Sequence, residues 1–282
     1  MINNRIINTL SVAPGCGKTI AGLAHAKLLI SLNKIDFVVV GAPLTTIKSS
    51  WGRDAKKYFK LNFAHEISNS RLWHLKIGAP KDLDGIICTY AQMARSIDMY
   101  KTLLMNKRVC LIADEIHHLA EENTWGAAID DIFSRAVCIV ALSGTPWRSD
   151  GNAIPFLNYD ENGALKSDFE YNYLDGLRDG HLRIINFHPY DGQHSWRVNS
   201  EIISKNFQDE LNKHEQSQIL RTALLTNNGL VDSMILDADR VLSTQSSKFP
   251  AKGLIVAIDQ SHARDLAKRV FRLTGHKPFV AT

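Results

Sequence analysis

Residues 11–19 read "SVAPGCGKT", and the meaning of this stretch decides what the rest of the chain can be. Gly15 and Gly17 lack the side chains that would keep a backbone away from a phosphate. Lys18 adds a mobile cation, and the Thr19 hydroxyl is a ligand for magnesium. A helix opening at Lys18 would turn its free amides, from Gly15 to Thr19, toward an anion. The competing reading is a glycine-rich strand-to-helix turn with an incidental lysine. The apolar run "RIINTLSV" in front and the helical pattern "KTIAGLAHAKLLISL" behind favour the phosphate loop. The general pattern for such loops asks for glycine where Val12 stands. The stretch therefore points to a nucleotide without naming the reaction.

Outward from the loop, apolar β-branched runs recur at residues 36–42, 85–90, 109–114 and 137–143. They are apolar throughout, as strands buried on both faces are. Between them lie "TTIKSSWGRDAKKYF", "MARSIDMYKTLLM" and "TWGAAIDDIF", with apolar residues at helical spacing. Strand alternating with helix implies right-handed crossovers and a mostly parallel sheet. Residues 1–150 are thus expected to form a three-layer α/β domain, with the loop at the carboxyl end of its first strand, where such sheets bind ligands. Residues 151–183, rich in Gly, Asn and Asp, read as a crossover segment with one short helix. From residue 184 a second α/β domain is expected to begin: the strand "RIINFHPY", helices over about 201–226 and 230–242, the strand "GLIVAI", the helix "SHARDLAKRVFRL", and "KPFVAT" as part of a further strand.

The bulk properties bound the function loosely. The 282 residues are 45% hydrophobic and 22% charged, an ordinary globular balance. A formal charge of +4 is compatible with a nucleic-acid partner, but no Lys/Arg tract concentrates it. Cys88, Cys110 and Cys138 sit in apolar runs as small hydrophobes, and with Cys16 they form no C-x-x-C pair. With no apolar signal core at the start and no run of membrane-span length, the expectation is a reduced, cytoplasmic protein without a membrane partner.

Two further stretches carry chemistry. "LIADEIHHL", residues 111–119, ends a strand in adjacent acids: Asp114 can hold magnesium while Glu115 polarises an attacking water. The alternatives are plain solvated turn acids, or a zinc site from His117, His118, Glu121 and Glu122, which matches no defensible ligand spacing. "ALSGTPWRSD", residues 141–150, again follows an apolar strand directly.

Taken in order, "VAPGCGKT", "DEIH" and "SGTP" resemble the superfamily 2 helicases and translocases, which carry A-x-x-G-x-G-K-T, D-E-x-H and S/T-G-T-P in this order. That family's loop does not use the outer glycine, and Val12 replaces a small packing alanine. The resemblance extends toward the helicase subunits of type III restriction enzymes and phage recombination helicases, and covers nearly the whole chain. "VVVGAPLTTIKSSWGRDAKKY" is similar to motif Ia, "IICTYAQM" to motif Ib, "YLDGLRDGHL" to the helix leading into the second domain, and "GLIVAIDQSHARDLAKRV" to motif IV. It implies two RecA-like domains and ATP with magnesium as cofactors. It further implies ATP binding by Pro14, Gly15, Cys16, Gly17, Lys18 and Thr19, with Thr19 and Asp114 on the metal and Lys18, Asp114 and Glu115 catalytic. Ser143 and Thr145 would reach His117 and couple the nucleotide site to a nucleic-acid groove, with Arg148 joining them. Pro43, Thr45, Thr89 and Tyr90 would line that groove, gripping phosphate and sugar without reading sequence. For Tyr90, Trp51 and Trp147 the alternative is ordinary packing, and it is favoured for the two tryptophans. The basic stripe Lys48, Arg53, Lys56, Lys57 and Lys60 could steer nucleic acid, although a charged helix face is more often just solvated.

Three parts of the family pattern are not found. No glutamine segment precedes the loop, and neither motif V nor the Q-x-x-G-R-x-x-R of motif VI follows motif IV. The expectation is an ATP-dependent helicase or translocase on nucleic acid, in the first place DNA, whose second domain is incomplete. Its further partners would be a C-terminal segment or a nuclease or modification subunit. A small-molecule kinase or GTPase fits less well, given "SGTP" after a strand and no N-K-x-D. The remaining alternative is a truncated motor that binds nucleic acid or a partner without efficient ATP turnover.

Overall fold

The computed structural model describes residues 6–64, 82–120, 126–145, 153–154, 157–198, 201–225, 229–246 and 251–281. Within them the chain divides into two compact units, Met1–Ile184 and Ile185–Thr282.

The first unit is built on a seven-stranded parallel sheet. Its strands are β1 (Ile6–Val12), β2 (Phe37–Ala42), β3 (Phe63–Ala64), β4 (Gly85–Thr89), β5 (Val109–Asp114), β6 (Cys138–Ser143) and β7 (Phe169–Tyr171), in the order β3-β4-β2-β5-β6-β1-β7. The five strands expected from apolar runs are all present. Their side chains alternate between two cores as the strand period requires. Val38 and Val40 of β2, Cys110 and Ile112 of β5, and Val140 and Leu142 of β6 face one core. Val39, Leu111 and Ile139 face the other. Helices α1 (Lys18–Ser31) and α2 (Thr45–Phe59) cover the first core with Leu23, Ala26, Trp51 and Ala55. Helices α3 (Tyr90–Arg95), α4 (Ile97–Asn106) and α5 (Gly126–Arg135) cover the second with Met93, Leu103, Ile132 and Phe133. Burial on both faces is why these strands read as continuous apolar runs. Cys88, Cys110 and Cys138 are free and buried, as small hydrophobes.

The single helix expected over "MARSIDMYKTLLM" is broken at Ser96, whose φ of −124° and ψ of 36° are not helical. The crossover segment adds to this sheet: β7 pairs parallel with β1, and α6 (Tyr173–Arg178) follows under a capping box between Asn172 and Asp175.

In the second unit two expectations are corrected. Residues 201–205 are a strand, not the start of a helix: β9 (Glu201–Lys205) pairs antiparallel with β8 (His194–Val198). The β-branched "EIIS" suits a hairpin, and the helix α7 (Lys213–Leu225) starts only where the Asn212 side chain accepts the His214 and Glu215 amides. "RIINFHPY", "GLIVAI" and the described part of "KPFVAT" form no strand. A strand needs a ladder partner, and β8–β9 is the sole ladder among the described residues of this unit. Phe187, Leu254, Val256 and Phe279 are accordingly exposed. Helices α8 (Leu230–Ser246) and α9 (Gln260–Thr274) pack through Val231, Ile235 and Leu266, and Asp259 caps α9 by accepting the His262 amide. Among the described residues no helix is long and apolar enough to cross a membrane.

At the amino edge of the first sheet, Arg108 locks the entry to β2. Its guanidinium donates to both carboxylate oxygens of Asp36, to the Asn33 carbonyl and to the Asn33 side-chain oxygen. The Arg108 side chain and amide hold the Asp36 carboxyl down at about 2, against an ordinary 3.8. A depressed carboxylate stabilises the fold above its unfolded value, and that stabilisation is lost as pH falls through the folded one. The Tm advantage of the wild type over Asp36→Asn should therefore be full above about pH 5 and shrink as pH falls from about 4 toward 2. A gap that stays constant in thermal scans across that range would contradict the role of this pair.

Candidate nucleotide site

Parallel register sets the site. Ser11 of β1 lies opposite Ser143 of β6, and Leu142 of β6 opposite Asp114 of β5. The three chemical stretches therefore leave the sheet at one edge, in neighbouring positions. After Val12 the chain turns through Gly15 at φ 84° and Gly17 at φ 90°, the left-handed region that glycine enters readily. Lys18 then opens α1. Pro14, Gly15 and Gly17 are exposed, whereas Cys16, Lys18 and Thr19 are half-buried.

Lys18 is not idle in this loop. Its ammonium forms an ion pair and hydrogen bond with Glu115 Oε1. Glu115 itself sits at φ 48°, the left-handed region, as the chain leaves β5 for a short 3₁₀ helix (Ile116–Ala120). That conformation costs a non-glycine residue about 1–2 kcal/mol, so local contacts must hold it. The other Glu115 oxygen lies 3.6 Å from His117 Nδ1. His117 Nδ1 is in turn 3.0 Å from Ser143 Oγ, which also accepts the Thr145 amide at 3.2 Å. One chain of contacts thus runs Lys18, Glu115, His117, Ser143, Thr145, through all three stretches. Arg148 and Trp147 lie outside the described residues.

Asp114 is only 5% exposed. Burial raises its carboxyl above the ordinary value, the Trp51 hydrogen bond pulls it down, and the Glu115 charge pushes it up again. Trp51 Nε1 donates to Asp114 Oδ2 at 2.8 Å, and the Tyr90 hydroxyl donates to the Asp114 main-chain oxygen at 2.8 Å. Asp114 and Thr19 could hold a magnesium ion, since a buried carboxylate and a hydroxyl are hard oxygen donors. The zinc alternative drew on Glu121 and Glu122, outside the described residues. Among the described residues no three His, Cys, Asp or Glu side chains are grouped to hold a metal.

The residues expected to line a nucleic-acid groove separate into two kinds. Pro43 is half-buried and Thr45 exposed, at the carboxyl edge where β2 passes into α2. Thr89 is buried, and its hydroxyl caps α3 by accepting the Gln92 amide. Tyr90 is 1% exposed, so its ring belongs to the core and not to a groove surface. Of the basic stripe, Lys48 is buried and donates to Gln92 Oε1, which also accepts the Thr89 amide. Arg53, Lys56, Lys57 and Lys60 are exposed toward the far end of α2. A 15-residue helix runs about 22 Å, which carries Lys56, Lys57 and Lys60 away from the site edge and fits a solvated face.

Sequence reasoning passed over Gly144. A Cβ there would fall 2.8 Å from Lys18 Nζ and 3.0 Å from both the Val12 oxygen and Pro14 Cδ, so the "SGT" backbone is pressed against the phosphate loop. It also missed the cover on Cys16. A Cβ at Gly176 of α6 would meet Cys16 Sγ at 3.1 Å and Leu182 at 2.7 Å.

The chain is similar to known proteins in sequence and in fold. An uncharacterized protein of Mycobacterium tuberculosis strain H37Rv is 32% identical over 278 residues, and one of Mycobacterium leprae is 33% identical over 277 residues. These alignments cover 96% and 95% of this chain, which spans 45% of the length of each relative. Among solved structures, the ATP-dependent type ISP restriction-modification enzyme LlaBIII bound to DNA is similar in fold, with a TM-score of 0.51 and 14% identity over 97% of this chain and 20% of that one. The family described as type III restriction enzyme, res subunit, matches residues 2–148, the span that holds "VAPGCGKT", "DEIH" and "SGTP". The chain belongs to that family, the restriction-enzyme branch of the superfamily 2 helicases.

Proposed function

We propose that this protein is an ATP-dependent motor on nucleic acid, coupling hydrolysis at the carboxyl edge of the first sheet to movement along a strand. The observation that carries the reading is the Lys18–Glu115–His117–Ser143 chain, which joins a phosphate-binding lysine, a water-activating acid and the "SGT" turn. DNA is the chosen strand because the matching family is that of a restriction enzyme's subunit.

In this reading the Gly15 to Thr19 backbone receives the phosphates, and Lys18 exchanges its Glu115 partner for them. Glu115, released, accepts a proton from the attacking water. Magnesium, held by Thr19 and Asp114, would neutralise charge on the phosphate oxygens. His117 and Ser143 carry the change in Glu115 to the "SGT" turn, and so toward the strand-binding edge near Pro43 and Thr45.

Glu115→Gln should bind a fluorescent ATP analogue within a few-fold of wild type while phosphate release falls about 10²–10⁴-fold, because an amide cannot take the proton. Normal turnover in that variant would remove Glu115 from the mechanism. Gly144→Ala should leave the thermal midpoint close to wild type but weaken nucleotide binding about tenfold or more, by wedging a methyl between the turn and the loop. Unchanged affinity in a nucleotide titration would mean the turn yields freely.

Nucleic-acid binding should be insensitive to base sequence and should weaken steeply with salt, since phosphate contacts dominate such grooves. Replacing Lys56 and Lys57 together by Gln should leave anisotropy titrations within about twofold of wild type, because they lie in the last turn of α2, at the end away from the site edge. A salt slope that drops by about one unit per lysine removed would instead put that end of α2 on the strand.

A further inference from the structure

We infer that Trp51 is a positioning residue for the magnesium ligand Asp114, tying the helix behind the strand-binding edge to the nucleotide site; this rests on the function proposed above.

Trp51 is the seventh residue of α2 and is fully buried. A position that only filled volume would be served by Phe or Leu, because a buried indole N–H must find an acceptor or cost stability. Here the acceptor is Asp114 Oδ2 at 2.8 Å. The bond holds Oδ2, and the Glu115 main chain also hydrogen-bonds this carboxylate. With the Tyr90 hydroxyl on the Asp114 carbonyl, donors from α2 and α3 fix the acid from both its side chain and its backbone. Partners behind metal-binding carboxylates orient them in this manner.

The indole's place is reserved by a third element. Gly22 lies on α1, one turn after Lys18, and is helical, so its backbone does not require glycine. A Cβ there would stand 3.2 Å from Trp51 Cη2 and 3.1 Å from Leu142 Cδ1. Gly in a helix interior is unfavourable by about 0.5–1 kcal/mol relative to Ala, and the space it leaves is taken by the ring. The phosphate-loop helix, the helix behind the strand-binding edge and the acid that would hold the metal thus meet at one ring.

The test is the magnesium dependence of binding of a fluorescent ATP analogue, which needs no turnover. Trp51→Phe removes the N–H and keeps an aromatic ring. The magnesium concentration for half-maximal binding should rise about tenfold or more, while metal-free binding stays as in wild type. A purely packing role would lower the thermal midpoint and leave the magnesium half-point unmoved, and that result in folded Trp51→Phe overturns the inference while the nucleotide reading stands. Gly22→Ala keeps the N–H and displaces the ring, and should also raise the half-point. If Trp51→Phe does not fold, a wild-type half-point in Gly22→Ala overturns the inference. Wild-type protein that binds the analogue equally with and without magnesium overturns this inference alone, and wild-type protein that does not bind the analogue at all overturns the nucleotide reading and this inference together.

Discussion

The parallel register of β5, β6 and β1 is the constraint on which the site depends. Strands that run the same way deliver their following loops to the same edge, and here the ends are flush: Asp114 opposite Leu142, Ser143 opposite Ser11. A one-residue slip of β6 would exchange the side chains that face the two cores, spoil the packing of both and carry Ser143 away from His117. The two apolar cores therefore fix the polar geometry. The contacts at the edge need not supply the stability that holds them in place.

Much of this was legible in the sequence, and the reason is burial. The central strands of a covered parallel sheet must be apolar on both faces, so "DFVVVGA", "VCLIAD" and "VCIVALS" could hardly be anything else. The loop glycines were equally readable, because positive φ restricts the choice of residue. The hairpin at residues 194–205 escaped, since "EIISK" is short and can satisfy either period, and only its pairing decides. The strands expected at "RIINFHPY" and "GLIVAI" failed for the opposite reason. Local propensity favours them, but a strand is a relation between segments, and no described segment pairs with either.

In the candidate site the sequence told residue types but not partners. Tyr90 and Trp51 lie in stretches that resemble strand-binding motifs, yet both point inward and donate to Asp114. Nothing in a linear pattern distinguishes an aromatic that stacks on a base from one that holds an acid. Thr89 and Lys48 share this fate: with Gln92 they form a small polar knot that joins the start of α2 to the start of α3. What the motifs preserved was position at the carboxyl edge, and the physical task of each side chain emerged from the packing.

The pairing of Lys18 with Glu115 has a consequence for how such a site stays quiet. A part-buried ion pair contributes little net stability, because desolvation offsets most of the attraction. Its effect is on geometry. While Glu115 neutralises Lys18, its Oε1 is committed to the ammonium and cannot take a proton from water. A polyanion entering the loop competes for the same ammonium with several charges against one, so it both binds and releases the acid. The released carboxylate lies beside His117, whose Nδ1 is 3.6 Å away, and His117 already holds Ser143. In the function proposed above, occupancy of the phosphate loop would be converted, through one exchange of partners, into a change at the turn that leads out of the sheet.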